Sequence, residues 1–417
     1  MSAASPTPES NASMPSGAWL RPAVAMFVVG YGANMFATLL DVYRGALSAV
    51  DVNGLFGAYA VGLIPALILV APLSDRFGRR QVIRAALALS AIGSLVLLLA
   101  GESFIGLLVG RIVVGVAAGA TFSPGTAWVK ELSDRAGRGA SGARRAAVAL
   151  TAGFAGGPLL SGILSQWAPL PEELPYVVHI ALVVVAAVYV WRAPETVGRG
   201  VGSGVGGAGG VGSGAGVMRQ RAASEVGAAL RSRVFLCAIL PTAPWVFGAA
   251  SGSLAVLPGQ IDVGEFTEIA SGLTAAVTLG TGILVQSWAR RLADRSPRAP
   301  FQAGVIALVA GMLLGAATVL PHSPLLLAPA AICLGAAYGF LLVSGLTAVD
   351  ALAQPDDLAT LTGIFYSATY VGFAYPLLDS VFAPVISGPG VFLVAAALGA
   401  AALIGIAAAW PRRGALR

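Results

Sequence analysis

The chain has 417 residues, 57% of them hydrophobic and only 11% charged, with a formal net charge of +6. Soluble domains carry about a quarter charged residues, so a mean hydropathy of +0.83 excludes an ordinary soluble protein and makes a lipid bilayer the solvent.

Residues 1–19 are rich in Ser, Pro and Ala and lack the basic start and cleavage site of a signal peptide, so they read as a disordered cytoplasmic tail. Apolar runs of about 20 residues, enough to cross a hydrocarbon layer of about 30 Å, then follow one another. They predict helices over 20–43, 53–73, 81–100, 103–129, 144–167 and 175–192, and over 233–257, 267–289, 301–320, 324–348, 359–383 and 388–410. Membrane strands would alternate over about ten residues; these runs are continuously apolar and rich in Ala, Leu, Gly and Val. The expected fold is an all-α membrane protein with twelve transmembrane helices. Two six-helix bundles, 20–192 and 233–410, are joined by a linker over 193–232 and followed by a cytoplasmic tail, 411–417.

With both termini placed in the cytoplasm, every one of the 25 basic residues except Arg44 and Arg111 falls on the inner side. That one-sidedness is the positive-inside pattern and explains the basic balance without a nucleic-acid partner. The outer loops carry Glu102, Glu172, Glu173, Asp262, Glu265 and Glu268 instead. Within the linker, eleven of the nineteen residues 198–216 are Gly, which predicts a flexible tether spanning about 25 Å. Gly204 to Gly209 matches a dinucleotide fingerprint by chance, with no preceding strand and no acidic partner. Met218 to Arg233 reads either as a short basic helix on the inner leaflet or as an ordinary charged linker.

Enzymatic and metal chemistry find little support. Cys237 and Cys333 lie in separate spans and read as packing residues, and His179 and His322 are too few and too peripheral for a metal cluster. No nucleophile triad, zinc spacing or Walker phosphate loop is present, so the chain reads as a non-enzyme without cofactors that draws its energy from something other than ATP.

Two features repeat at an offset of 219 residues. Asp75 Arg76 Phe77 Gly78 Arg79 Arg80 between the second and third runs recurs in weaker form as Asp294 Arg295 Ser296 Pro297 Arg298, and Gly153 Phe154 Ala155 with Pro158 Leu159 Leu160 recurs as Gly372 Phe373 Ala374 with Pro376 Leu377 Leu378. Interrupted helices at matching places in two halves point to a transporter's moving core. An Asp-Arg loop duplicated once per half resembles the loop signature of the major facilitator superfamily, over nearly the whole chain. Gly153, Gly157, Pro158 and Gly162 resemble the antiporter motif of that family's twelve-helix drug and proton antiporters, with Ser161 in place of a Gly. There the motif is a packing seam between the fifth helix and the other half, able to serve as hinge and seal; a plain packing interface is the alternative.

The resemblance implies that Asp75, beside Arg76, Gly78, Arg79 and Arg80, latches the cytoplasmic side in the outward-open state by capping a helix of the partner bundle, aided by Glu131. The copy at Asp294 and Arg295 should contribute less, because Pro297 stands at the Gly position. Arg111 followed by Gly115 resembles the family's fourth-helix motif. An ionisable group at membrane depth costs several kcal/mol unless paired or hydrated. Asp41 and Arg111 are therefore expected to share a water-filled cavity with Asn34, Asp41 exchanging a proton; the other reading places Asp41 at the outer rim beside Tyr43 and Arg44. Asp379 is a further acid of the spans, and Trp245 and Tyr375 are among the aromatics expected at the cavity.

Aromatic faces with few charges suit amphipathic, lipophilic or weakly cationic solutes. The expectation is a multi-pass monomer of the inner (plasma) membrane, with a small-molecule substrate and protons as partners, exporting lipophilic or drug-like compounds. A uniporter or symporter of a sugar or amino acid, and a transport-dead sensor or scaffold, are the alternatives.

Overall fold

The structure, a computed structural model, describes residues 17–137, 141–197, 226–261, 263–320, 324–354, 358–386 and 388–410. Among these the chain is helical and contains no strand. The first half holds α1 (Leu20–Asn34 and, after a break at Met35, Phe36–Tyr43), α2 (Ala49–Phe77), α3 (Arg79–Ala100), α4 (Phe104–Arg135), α5 (Gly142–Trp167) and α6 (Leu174–Trp191). The second holds α7 (π-turn Phe235–Ile239, helix Leu240–Ser251, π-turn Gly252–Val256), α8 (Thr267–Arg295), α9 (Ala299–Val319) and α10 (Leu327–Leu352). Then come α11 (Leu358–Tyr370, a 3-10 turn Val371–Ala374, Tyr375–Phe382) and α12 (Gly390–Ala409). Eleven of these are long and apolar enough to cross a membrane; α11 divides at its 3-10 turn. The tails, the Gly-rich stretch 198–216, Asp262 and His322 lie outside the described residues.

Four helices run further than their apolar runs. α2, α4, α8 and α10 continue to Phe77, Arg135, Arg295 and Leu352, a turn or more past the expected ends at 73, 129, 289 and 348. Hydropathy marks the slab, whereas Asp75, Glu131 and Asp294 continue the helical backbone into water. Of the expected helix 218–233, the described part is Val226–Leu230, whose Val226 and Leu230 pack on the protein's own core.

Helices in lipid gain little from burying Leu against Leu, so they associate where small residues let backbones approach. α2 and α4 do this through Gly62, Gly115 and Gly119. A Cβ at Gly119 would lie 2.6 Å from the Leu63 carbonyl oxygen, and one at Gly115 would strike that of Tyr59. The second half repeats the seam between α8 and α10, where Gly335 and Gly339 face the carbonyls of Thr278 and Gly282. The repeat seen in the loops is thus present in the packing.

His179 is not peripheral. It is fully buried, stacked on Tyr31 at 5.8 Å, with Nδ1 2.6 Å from Ser94 Oγ and Nε2 3.2 Å from the Val28 carbonyl oxygen. A carbonyl only accepts, so Nε2 carries the proton and Nδ1 accepts from Ser94, which fixes one neutral tautomer and ties α6 to α1 and α3. Gly32 leaves the space that the ring fills. Gly32→Ala should therefore cost about 1–3 kcal/mol through overpacking, read as a lowered unfolding midpoint of the purified protein. An unchanged midpoint would show that the ring can move aside freely.

Candidate functional site

Arg111 lies at the centre of the first half and is 1% exposed. Its Nε donates to the Leu55 carbonyl, Nη1 to that of Ala33 and Nη2 to that of Phe56, each at 3.2 Å. The guanidinium also sits over the rings of Phe36, at 4.5 Å, and Tyr59, at 5.1 Å. Gly115, one turn on, lets α4 approach α2 closely enough for Arg111 to reach those carbonyls, which is a physical reason for the spacing of the pair. Asp41 is not its partner. Eight residues beyond Ala33, about 12 Å along a helix, Asp41 sits near the end of α1 and pairs with Arg44. The expected Asp41–Arg111 cavity pair does not form, because the backbone satisfies Arg111 and Arg44 is the nearer cation.

Between the halves, beside Arg111, lies an aromatic slot lined by Asn34, Phe56, Tyr59 and Phe154 from the first half and by Phe247, Ser251, Tyr338, Tyr370 and Phe373 from the second. Phe247 stacks on Tyr370 at 4.8 Å and on Phe373 at 5.1 Å, while Tyr59 meets Phe373 edge-on at 5.8 Å. Trp245 and Tyr375 lie apart from it. They meet each other at 6.2 Å, and the Tyr375 hydroxyl points at Met312 Sδ of α9.

One end of the bundle carries the acidic loops, and there the halves are clasped. Arg44 extends from the end of α1 to the carboxyl-terminal end of α7, where its Nη2 donates to the Ala255 carbonyl at 2.7 Å. That carbonyl lies in the last turn before Pro258, where orphan acceptors and the negative end of the helix dipole favour a cation by up to about 2 kcal/mol. Gly259 makes room, since a Cβ there would strike the guanidinium. Asp41 accepts from Arg44 and from Ser271 of α8, and Asn53 Nδ2 donates to Ser380 Oγ of α11 at 2.6 Å. Gln166 of α5 joins the Glu265 carbonyl and the Ile269 amide. Asp379 is 6% exposed beside this clasp and feels the charge of Arg44. In the nearby loop, partial burial and the carboxylates of Glu173 and Glu102 hold the Glu172 carboxyl above its usual range. Ser271 and Asn53 escaped the sequence reading, whereas the alternative that set Asp41 at the outer rim beside Arg44 named the partner found here.

The antiporter-like motif divides its contacts. Gly153 and Gly157 face α1, with no room for a Cβ against the Phe27 and Tyr31 carbonyls. Gly162 faces the other half: a Cβ there would lie 2.7 Å from the Glu268 carbonyl oxygen and 3.3 Å from Gly272 Cα. Gly272 is as close to the Pro158 carbonyl, which also accepts from Thr38 Oγ1 at 2.9 Å. Only the end of the motif is the cross-half seam, then, and its beginning packs within the first bundle. Gly372, the counterpart of Gly153, abuts the Pro244 carbonyl and Gly248 amide of α7 in the same way.

At the opposite, Arg-rich end the bonds of Asp75, Glu131 and Glu195 stay within the first half. Glu195, not Asp75, caps a helix: its carboxylate accepts from the Arg79 and Arg80 amides at 3.0 Å each, at the start of α3. Gly78, with φ of 99°, turns the chain there and leaves space for that carboxylate. Asp75 is 63% exposed and bonds Arg79 at 2.5 Å; Glu131 accepts from Arg79 Nη2 at 3.1 Å and from Thr196. Arg80 donates to the Ala193 carbonyl, and Arg76 lies exposed over the Phe77 ring. Asp294 and Arg295 are exposed at the end of α8 and, among the described residues, form no ion pair. Glu195 was legible as an acid set among basic residues after α6.

Gly162→Leu is expected to separate α5 from α8 while each half stays folded, whereas Gly157→Leu should act inside the first half by pushing α1. Disulfide yield between cysteines placed at Gln166 and Glu265 should fall for the former and hold for the latter. Tyr375→Leu, at a residue that meets Trp245 of α7 and Met312 of α9, should be tolerated better than either. Equal yields in all backgrounds would show that the seam does not set the approach of the halves.

The family model of the Major Facilitator Superfamily matches residues 23–375. No curated protein sequence matches the chain. Among solved structures it is similar to a POT family transporter in complex with 5-aminolevulinic acid, with a TM-score of 0.74 and 13% identity over 95% of this chain and 98% of that one. It is also similar to the nucleoside transporter NupG, at 0.70 and 13% over 94% and 98%. A bacterial homologue of the human lysosomal transporter Spinster, in an inward-facing and unoccupied conformation, gives 0.65 and 16% over 94% of each chain. Identities this low speak to fold alone, but the family match runs from α1 into α11 and spans both repeats, so the chain belongs to the Major Facilitator Superfamily of membrane transporters.

Proposed function

We propose that this transporter is a proton-coupled antiporter exporting small lipophilic, drug-like solutes across the inner (plasma) membrane, with the Arg-rich end in the cytoplasm. The positive-inside pattern supports that orientation, and in it the acidic-end clasp seals the outer mouth, so the conformation is inward-facing. The observation that carries the reading is a titratable clasp placed over an uncharged aromatic slot. An antiporter needs a group whose protonation is linked to which mouth is open, and Asp41, paired with Arg44 at the end of its own helix, accepts from Ser271 of the opposite half across the shut outer mouth. Asp379, also under the charge of Arg44, is the second candidate for the same role.

Asp75 and Glu131 belong to the other mouth. In this state Asp75 is turned to solvent and pairs only within its own loop, as a cytoplasmic latch should when that mouth is open. The Gly162–Gly272 seam, close to both the Pro158 bend and the clasp, is placed to act as the pivot.

Proteoliposomes with an imposed pH gradient test the reading. Wild-type protein should exchange a lipophilic solute for protons, and Asp41→Asn should fold normally but lose the gradient-driven component. Co-directional movement of solute and proton would establish a symporter instead, and absence of any flux a scaffold. Equal gradient-driven transport by Asp41→Asn would transfer the coupling role to Asp379.

Asp75→Asn removes the latch anion, worth about 1 kcal/mol at a helix end, and should raise thiol labelling at cysteines introduced along the Arg-rich mouth. Labelling equal to wild type would leave Asp75 a solvated loop charge.

A further inference from the structure

Building on the transporter reading above, we infer that the slot between the halves selects aromatic solutes by charge, accepting neutral and singly anionic ones and rejecting organic cations. The slot has about 30 Å³ of free space, room for a water or two. A solute enters only by replacing ring-to-ring contacts, and a flat aromatic body can take a place in the stack formed by Phe247, Tyr370 and Phe373. Asn34 and Ser251 offer neutral hydrogen-bonding groups at its wall.

No Asp or Glu lines the slot. The charge that adjoins it is Arg111, which holds the carbonyl of one lining residue, Phe56, and lies 5.1 Å from the ring of another, Tyr59. Backbone carbonyls accept from three of its five N–H groups, no carboxylate among the described residues pairs with it, and an arginine does not shed its proton. The weakly cationic solute expected from the sequence rested on aromatic faces with few charges, and Asp41, which would have favoured a cation, is bound to Arg44 at the acidic end. Aromatic walls often attract cations, but here Arg111 already occupies a face of Tyr59, and the faces of Phe247, Tyr370 and Phe373 are engaged with one another. A unit charge on a solute one ring's breadth away, roughly 9 Å, at an effective dielectric of about 20 should change affinity by roughly tenfold to thirtyfold.

Three matched probes test this: 2-naphthol, 2-naphthoate and 2-naphthylmethylammonium, measured by equilibrium dialysis against the full chain in nanodiscs of neutral lipid and corrected for empty discs. Naphthoate and naphthol should bind, with the ammonium at least tenfold weaker. Arg111→Gln should shrink the gap between anion and cation at least tenfold, and Ala250→Leu, at a further residue lining the slot, should weaken all three. If Arg111→Gln does not fold, the order of the probes on the wild-type protein decides. Ammonium binding as tight as naphthoate, or binding indifferent to Ala250→Leu, overturns the inference. A protein that binds none of the three yet exchanges solute for protons overturns it while sparing the transporter reading; one that does neither overturns both.

Discussion

A guanidinium inside a bilayer must be solvated by the protein itself, because neither water nor a free counter-ion reaches it. Arg111 meets that need with three main-chain carbonyls and two aromatic faces, and the requirement propagates outward. Carbonyls from α1 and α2 must converge on one side chain of α4, so the three helices must lie close, and Gly62, Gly115 and Gly119 are what closeness demands. The same convergence turns Phe56 and Tyr59 toward the interface between the halves, where they become wall. Removing the charge would leave three carbonyls and two ring faces without their common partner, so the cation is as structural as any apolar contact in the bundle.

The two ends of the molecule use opposite chemistry. At the acidic end, polar side chains reach across the divide: Arg44 to the end of α7, Asp41 to Ser271, Asn53 to Ser380. At the Arg-rich end, Glu195, Glu131 and Asp75 spend their charge on Arg79, Arg80 and Thr196 of their own half. Bonds of the first kind are exchangeable for water when the mouth opens, which keeps the difference between states small. Bonds of the second kind survive any rigid rotation of one half against the other, so they maintain the loop in both states.

Most of the architecture was legible because membrane spanning is a strong constraint: nearly every helix begins and ends within a few residues of its apolar run, and the doubled Asp-Arg and Pro-Leu-Leu signals identified the repeat. The site was read less well. Arg111 and the Gly motif were visible as residues, but their partners were not, because backbone carbonyls leave no mark in a sequence. Arg44 looked like a rim residue for the same reason: its acceptor is the main chain of a helix more than 200 positions away. Asp41 carried two readings, a cavity shared with Arg111 or the outer rim beside Tyr43 and Arg44, and it pairs with Arg44; helix rise, about 1.5 Å per residue, sets Asp41 and Arg111 at different depths.

The repeat is unequal where it bends. α5 passes through Pro158 without interruption, while α11 breaks into a 3-10 turn before Pro376, and α7 carries a π-turn at each end. Tight and wide turns differ from the α-helix by one step in hydrogen-bond register, so a segment can lengthen or shorten by exchanging one pattern for another without unfolding. In the second half those register changes lie in α7 and α11, two of the helices that line the aromatic slot. The duplication has thus left one half with more places where the helical register changes than the other, and the symmetry of the fold need not extend to its motion.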